Sequence, residues 1–197
     1  MLPGGSRVLP AGCIPIMVDS DNCTRVCWFA LRDLTRRNAK EPAYKRLGSM
    51  GIELFTPMMR RLTVRRGKRV REEIPYMQDL LFVHDTRERL DPIIEQIPTL
   101  QYRYVRGKFC EPMVVPEADM ARFMQVVGDL DAVRYYRPEE ITSQMIGRRI
   151  RIIGGPLDGC EGALLTTRGS KRRRLLVELP DLITVAVEVD PEFIELL

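Results

Sequence analysis

One histidine and one tryptophan stand among 197 residues, and aromatic side chains reach only 7% of the chain. The lone His84 closes the apolar run 80–83, and no Ser or Cys motif is placed to use it as a base. It reads as a strand-end residue without a chemical role. The five cysteines (Cys13, Cys23, Cys27, Cys110 and Cys160) are odd in number and irregular in spacing, and no C-x-x-C occurs. That pattern argues against a disulfide framework or a zinc site and fits reduced thiols in a cytoplasmic protein. No run approaches the roughly 18 apolar residues that span a bilayer. A phosphate-binding glycine loop, a nucleophile elbow and metal-ligand spacing are all missing. The chain therefore reads as a binding protein rather than an enzyme, with no cofactor and no metal. Residues 1–23 carry a single Arg and are broken by Gly and Pro, so they read as a poorly ordered leader and not as a signal peptide.

What is present begins with charge. The net charge is only +4, but residues 60–73 (RRLTVRRGKRVREE) hold seven Lys/Arg against two Glu. The basic excess thus sits in one segment, and the remainder is close to neutral. Such a patch suits a phosphate backbone, while the plainer alternative is a solvated hairpin. Arg66-Gly67-Lys68 reads as its tip, between residues 62–64 and Val70.

Two globular units follow from the pattern. The first, residues 24–131, mixes strands (26–31, 52–57, 80–83, 102–105) with helices (43–50, 89–97, 116–127). Leu90, Ile93, Ile94 and Ile97 recur at helical spacing, as do Met120, Phe123, Met124 and Val127. Pro42 suits a first helical turn and Gly51 a helix stop. Residues 132–144 (AVRYYRPEEITSQ), with a central proline, read as a linker. The second unit, 145–197, is all β, and its alternation puts Ile183, Val185, Val187 and Val189 on one face and Thr184, Ala186 and Glu188 on the other. Several short strands in so few residues suggest a small barrel.

Within that unit, residues 146–165 (IGRRIRIIGGPLDGCEGALL) form a basic strand, a Gly-Gly-Pro turn, a second glycine turn and a strand leaving. Gly147, Ile152, Gly154, Gly155, Pro156, Gly159 and Gly162 carry a resemblance to the KOW motif. Trp28-Phe29-Ala30, Thr56-Pro57 ahead of the basic turn, residues 75–83, Met113-Val114-Val115-Pro116, and residues 191–197 extend it. Together they resemble the NusG family of transcription elongation factors. The resemblance implies an α+β fold: an N-terminal α/β sandwich with an antiparallel sheet flanked by helices, and a C-terminal SH3-like KOW barrel. The long basic hairpin and Val114-Val115-Pro116 are most similar to the specialised RfaH and UpxY types, antitermination factors, the latter tied to capsular polysaccharide operons.

The family resemblance implies docking on the RNA polymerase clamp through Trp28, Phe55, Tyr76, Met77 and Leu80, with Asp91 and Glu95 toward the opposite pincer. Trp28 and Phe55 read more readily as core. Gln78-Asp79 departs from the family's Pro-Gly at that point. Arg65, Arg66, Lys68, Arg69 and Arg71 are the candidates for non-template DNA or nascent RNA. The KOW unit implies a second partner, Rho or a ribosomal protein; residues 171–174 (KRRR) read as a second basic turn, solvated or RNA-facing. A monomer is expected. The alternatives are a housekeeping NusG-type factor and a ribosome-associated RNA-binding KOW protein.

Overall fold

The computed structural model describes residues 24–36, 41–128, 133–165 and 173–197. The expected leader 1–23 lies outside the described residues. The continuous apolar run at residues 28–31 becomes β1 (Cys27–Asp33), whose Trp28 to Leu31 are all buried. Asp33, also buried, ends it: one carboxylate oxygen accepts the Thr35 N–H at 2.8 Å and the other the Ala43 N–H at 3.0 Å. Those bonds satisfy a donor at the start of α1 (Ala43–Ser49), which has no side-chain cap of its own. Gly51, at φ 71°, ends the helix as expected.

β2 (Glu53–Phe55), β3 (Met58–Arg65), β4 (Lys68–Pro75) and β5 (Leu81–Asp85) follow. Then come α2 (Arg87–Gln96), β6 (Leu100–Tyr102), β7 (Val114–Val115) and α3 (Glu117–Val127). The main sheet runs β2-β5-β1-β6, with β7 also paired to β1, and every pairing is antiparallel. Being central, β5 is buried along almost its whole length, which explains its continuous apolar run. One face packs α1 and α2 through Phe29, Leu31, Leu47, Leu81, Val83 and Leu90. The other carries Trp28, Ala30, Leu80 and Phe82 against Met120 and Phe123 of α3. The N-terminal unit is therefore the expected helix-flanked antiparallel sheet. β3 and β4 stand apart as a two-stranded ribbon.

The C-terminal unit is β-rich: β8 (Val133–Tyr136), β9 (Ile146–Ile152), β10 (Glu161–Leu165), β11 (Arg174–Leu179), β12 (Ile183–Glu188) and β13 (Ile194–Leu196). They form one sheet in the order β13-β9-β10-β11-β12-β8. One expectation changes here. Residues 132–144 were expected to be linker, yet Val133–Tyr136 pairs antiparallel with β12, from Thr184↔Tyr136 to Val187↔Val133. Val, Tyr and Tyr favour a strand, and β12 offers an open edge. Thr184 and Ala186, on the opposite face of β12 from Ile183, Val185 and Val187, are buried as those are. Ala186 packs with Leu165 and Leu176 beneath Tyr136, Ile141 and Met145, so the segment that follows β8 covers this second face of β12.

One hydrophobic cluster runs without a break from the N-terminal unit into this sheet. It joins Met77, Leu80, Met120, Phe123, Val126 and Val127 to Tyr135, Ile150, Ile152, Leu175, Val185 and Val187. At the seam, the Gln125 amide donates to the Pro156 carbonyl at 3.2 Å, and its oxygen lies 3.5 Å from the Cys160 Sγ. Burial pushes the Cys160 thiol up from its ordinary value, so the cysteine stays a neutral packing group.

Candidate functional site

The basic ribbon is built by its turn. β3 pairs with β4 from Met58↔Pro75 to Arg65↔Lys68, closed by Arg66 at φ 51° and Gly67 at φ 76°. Two successive positive φ values match the right-handed twist of a two-residue hairpin. Because side chains alternate, Leu62 and Val64 share a face with Arg69 and Arg71, while Arg61, Thr63 and Arg65 share the other with Lys68, Val70 and Glu72. Leu62 and Val64 are 59% and 65% exposed, so the ribbon has no core of its own. Two cross-strand ion pairs brace it, Arg65–Glu72 at 2.6 Å and Arg60–Glu73 at 3.4 Å. All five expected nucleic-acid residues, Arg65, Arg66, Lys68, Arg69 and Arg71, are exposed on this ribbon. Among the described residues, Arg66, Lys68, Arg69 and Arg71 meet no carboxylate.

The ribbon leads directly into the segment 76–80. The Tyr76 N–H donates to the Pro57 carbonyl at 2.8 Å, the Thr56 hydroxyl to the Leu80 carbonyl at 3.0 Å, and the Leu80 N–H to the Met77 carbonyl at 3.3 Å. The Gln78-Asp79 departure has a structural use. The Gln78 amide donates to the Thr35 carbonyl at 2.8 Å. The Arg103 guanidinium donates to both the Asp79 carbonyl at 2.9 Å and its carboxylate at 3.0 Å, and Arg32 lies 3.9 Å from that carboxylate. Polar side chains thus fix the turn between Met77 and Leu80, where a proline and a glycine would otherwise fix it by backbone geometry.

The other expected docking residues are distributed unevenly. Trp28, Met77 and Leu80 are buried in the shared cluster. Trp28 stacks on His84 with ring centroids 4.6 Å apart, and its indole N–H has no partner among the described residues. Phe55 is half-buried and packs edge-on against Phe123. Tyr76 is half-buried with its ring 5.0 Å from that of Tyr135 on β8. Burial, and then Glu140, push the Tyr76 hydroxyl up from its ordinary value. The expected surface 76–80 is therefore covered on one side by the C-terminal sheet. Asp91 accepts a 2.7 Å hydrogen bond from the Tyr102 hydroxyl and faces Arg87 at 3.4 Å, while Glu95 is exposed. His84, expected to be inert, bridges two carboxylates, Glu53 at 2.7 Å and Glu117 at 3.3 Å, and so ties β2 to the start of α3.

The glycines expected to form the KOW motif show distinct uses. Gly154, Gly155 and Gly159 have φ of 89°, 72° and 75°. The first two carry the ring of Phe193 above them, and the Gly154 N–H donates to the Asp158 carboxylate at 2.5 Å. Gly162 has no room for a side chain, since a Cβ would overlap the Leu176 carbonyl. Gly147 and Ile152 lie in β9, Ile152 buried, and Pro156 lines the seam with α3. In the expected basic turn 171–174, Lys171 and Arg172 lie outside the described residues. Arg174 is buried at the head of β11 opposite Glu188, so it is no free cation of that turn.

Missed in the sequence were Asp33, whose bonds to Thr35 and Ala43 carry no motif, and Arg103 and Tyr135, whose roles come from pairings far along the chain. No helix among the described residues is long and apolar enough to cross a membrane. No curated protein matches the chain. A solved structure titled "Domain interaction in Thermotoga maritima NusG" is similar at 14% identity and a TM-score of 0.45, covering 88% of this chain and 98% of that one. The NusG family model, described as transcription termination factor nusG, matches residues 26–124, just over half of the chain. That span contains the helix-flanked sheet, the basic ribbon and the segment 76–80, and the chain belongs to the NusG family.

Proposed function

We propose that the chain is a transcription elongation factor of the antitermination type. It binds the RNA polymerase clamp through the N-terminal unit and a second partner, Rho or a ribosomal protein, through the C-terminal sheet. The observation that carries this reading is the family match over residues 26–124, which spans the candidate docking segment and the ribbon. The action is binding without catalysis: apolar side chains at 76–80 bury against polymerase while the ribbon's cations meet nucleic acid. Because Met77 and Leu80 are buried in the cluster shared with the C-terminal sheet, docking requires that sheet to move away. The Tyr76–Tyr135 contact is part of what holds it. The long basic ribbon and Val114-Val115-Pro116 support service to one operon, of the capsular polysaccharide kind, rather than to all genes.

The test is capture of core RNA polymerase from the source organism by the full chain. Retention is expected, and Tyr135→Ala is expected to raise it several-fold, since an aromatic pair is worth about 1 kcal/mol. Retention of ribosomes without polymerase would replace this reading with the ribosome-associated one. Equal stimulation of unrelated genes in a readthrough reporter would replace operon service with a housekeeping role.

A further inference from the structure

A second exposed element is tied to the segment 76–80 through Arg103 and Asp79. Residues 103–113 fold back on themselves: the Val105 N–H donates to the Glu111 carbonyl at 2.9 Å, the Met113 N–H to the Arg103 carbonyl at 2.7 Å, and Tyr104 bridges to Pro112. The tip turns through Gly107 at φ 81° and Cys110 at φ 48°, braced by the Lys108 N–H to the Val105 carbonyl at 3.2 Å and by a Lys108–Glu111 ion pair at 2.8 Å. The base is held by Arg103 on Asp79. This is a built loop, and it displays what a core would hide: Tyr104 is 49% and Phe109 60% exposed. Tyr104 is propped edge-to-face on Tyr102, centroids 6.5 Å apart, and the Arg87 guanidinium lies 5.9 Å from the Tyr102 ring. Arg106 is exposed between the two rings in sequence and meets no carboxylate among the described residues.

We propose that the loop 103–110 is a binding site for single-stranded DNA, separate from the β3–β4 ribbon, with Tyr104 and Phe109 stacking unpaired bases and Arg106 holding a phosphate. Three features select this occupant. Projecting rings at a turn need bases that are not already stacked in a duplex, and every base offers a face to them. With Arg103 paired to Asp79 and Lys108 to Glu111, Arg106 is the cation the loop leaves for a phosphate. Residues 103–110 (RYVRGKFC) include no Ser, Thr, Asn, Gln, Asp or Glu, so the Tyr104 phenol is the segment's one side-chain hydroxyl, and stacking rather than 2′-hydroxyl readout is what its chemistry favours. Asp79 acts as a positioning residue: it orients the loop through Arg103 and touches no base.

The experiment is fluorescence anisotropy of a labelled deoxythymidine oligomer titrated with the full chain at two salt concentrations. Phe109→Ala and Tyr104→Ala are each expected to weaken binding about tenfold, the range seen for one base on one ring. Arg106→Ala is expected to flatten the salt dependence by about 0.7 of a logarithmic unit per decade, the single-strand value for one phosphate. Phe109→Trp should keep affinity and Phe109→Leu should lose it, because a ring, and not mere apolar area, is what stacks. With Arg66→Glu and Lys68→Glu in the ribbon, the Phe109→Ala effect should persist at the same fold-change. Unchanged thermal unfolding in each variant separates lost binding from lost fold. Full affinity in Phe109→Leu, an effect that vanishes in the ribbon variant, or RNA of the same sequence bound tenfold more tightly would each overturn the proposal.

Discussion

The β3–β4 and β11–β12 hairpins share antiparallel pairing and little else. In β11–β12 nearly every position is buried, from Leu175 and Val177 to Ile183, Val185 and Ala186. In β3–β4 most positions are exposed, and cross-strand partners such as Leu62↔Arg71 and Val64↔Arg69 place cations beside apolar groups. A two-stranded ribbon with no face to bury is marginal by itself. Here the two-residue turn and two ion pairs hold its shape, while its anchorage is the strand end at Pro57 and Tyr76. The difference separates two kinds of sequence constraint. Side chains of β11–β12 answer to packing, whereas those of β3–β4 are free to answer to a partner.

The sharpest way to break the buried side of this comparison is Gly162→Ala. The added methyl would overlap the Leu176 carbonyl and crowd the Leu175 side chain. A backbone carbonyl in a paired strand cannot step aside as a flexible side chain can. Overpacking of this kind costs about 3 kcal/mol, and the thermal midpoint should fall accordingly. An unchanged midpoint would mean that β10 and β11 are not packed as closely as described.

A matched pair of substitutions sharpens the contrast itself. Val185→Ser removes a fully buried side chain and leaves a hydroxyl in an apolar cluster, and should cost about 2 kcal/mol. Val64→Ser, the same chemical change on the ribbon, should stay within about 0.5 kcal/mol, as surface changes do. Chemical denaturation of both variants measures this directly. Equal losses would show that the ribbon is packed against something in solution and is not the free element its exposure indicates.

The same contrast governs what the residues disclose before folding. Apolar periodicity in Met120, Phe123 and Val127, the run at 80–83 and the basic turn at Arg66-Gly67-Lys68 each report a local arrangement, and each lies in its expected element. The ribbon's cations were legible for the same reason: their exposure follows from a local hairpin. Tyr135 was not legible, because VRYY is a strand only once β12 supplies an edge far along the chain. Met77 and Leu80 were read as candidates for a surface, since their burial depends on where a second unit comes to rest. The Gln78-Asp79 departure from Pro-Gly was visible in the residues, but only the pairing of Asp79 with Arg103 shows how polar contacts fix the turn. Long-range pairing is what alternation and spacing do not carry.

The smallest expected effect lies where the two environments meet, on the exposed face of β9–β10. The Arg151 guanidinium donates to Glu161 at 2.5 and 2.9 Å, and Glu195 stands 3.8 Å away. The hydrogen bond from Arg151, and then its charge, hold the Glu161 carboxyl below the usual carboxylate range. A depressed carboxyl contributes stability that is present above its unfolded pKa, about 4.3, and disappears as pH falls through the lower folded value. Glu161→Gln should therefore unfold slightly below the parent at pH 7, and the two curves of thermal midpoint against pH should converge in acid. Solvent screens the pair, so the gap should also narrow in high salt. Curves that stay parallel down to acid would assign the difference to packing of the Glu161 stem rather than to its charge, and would place this face with β11–β12 instead of with the ribbon.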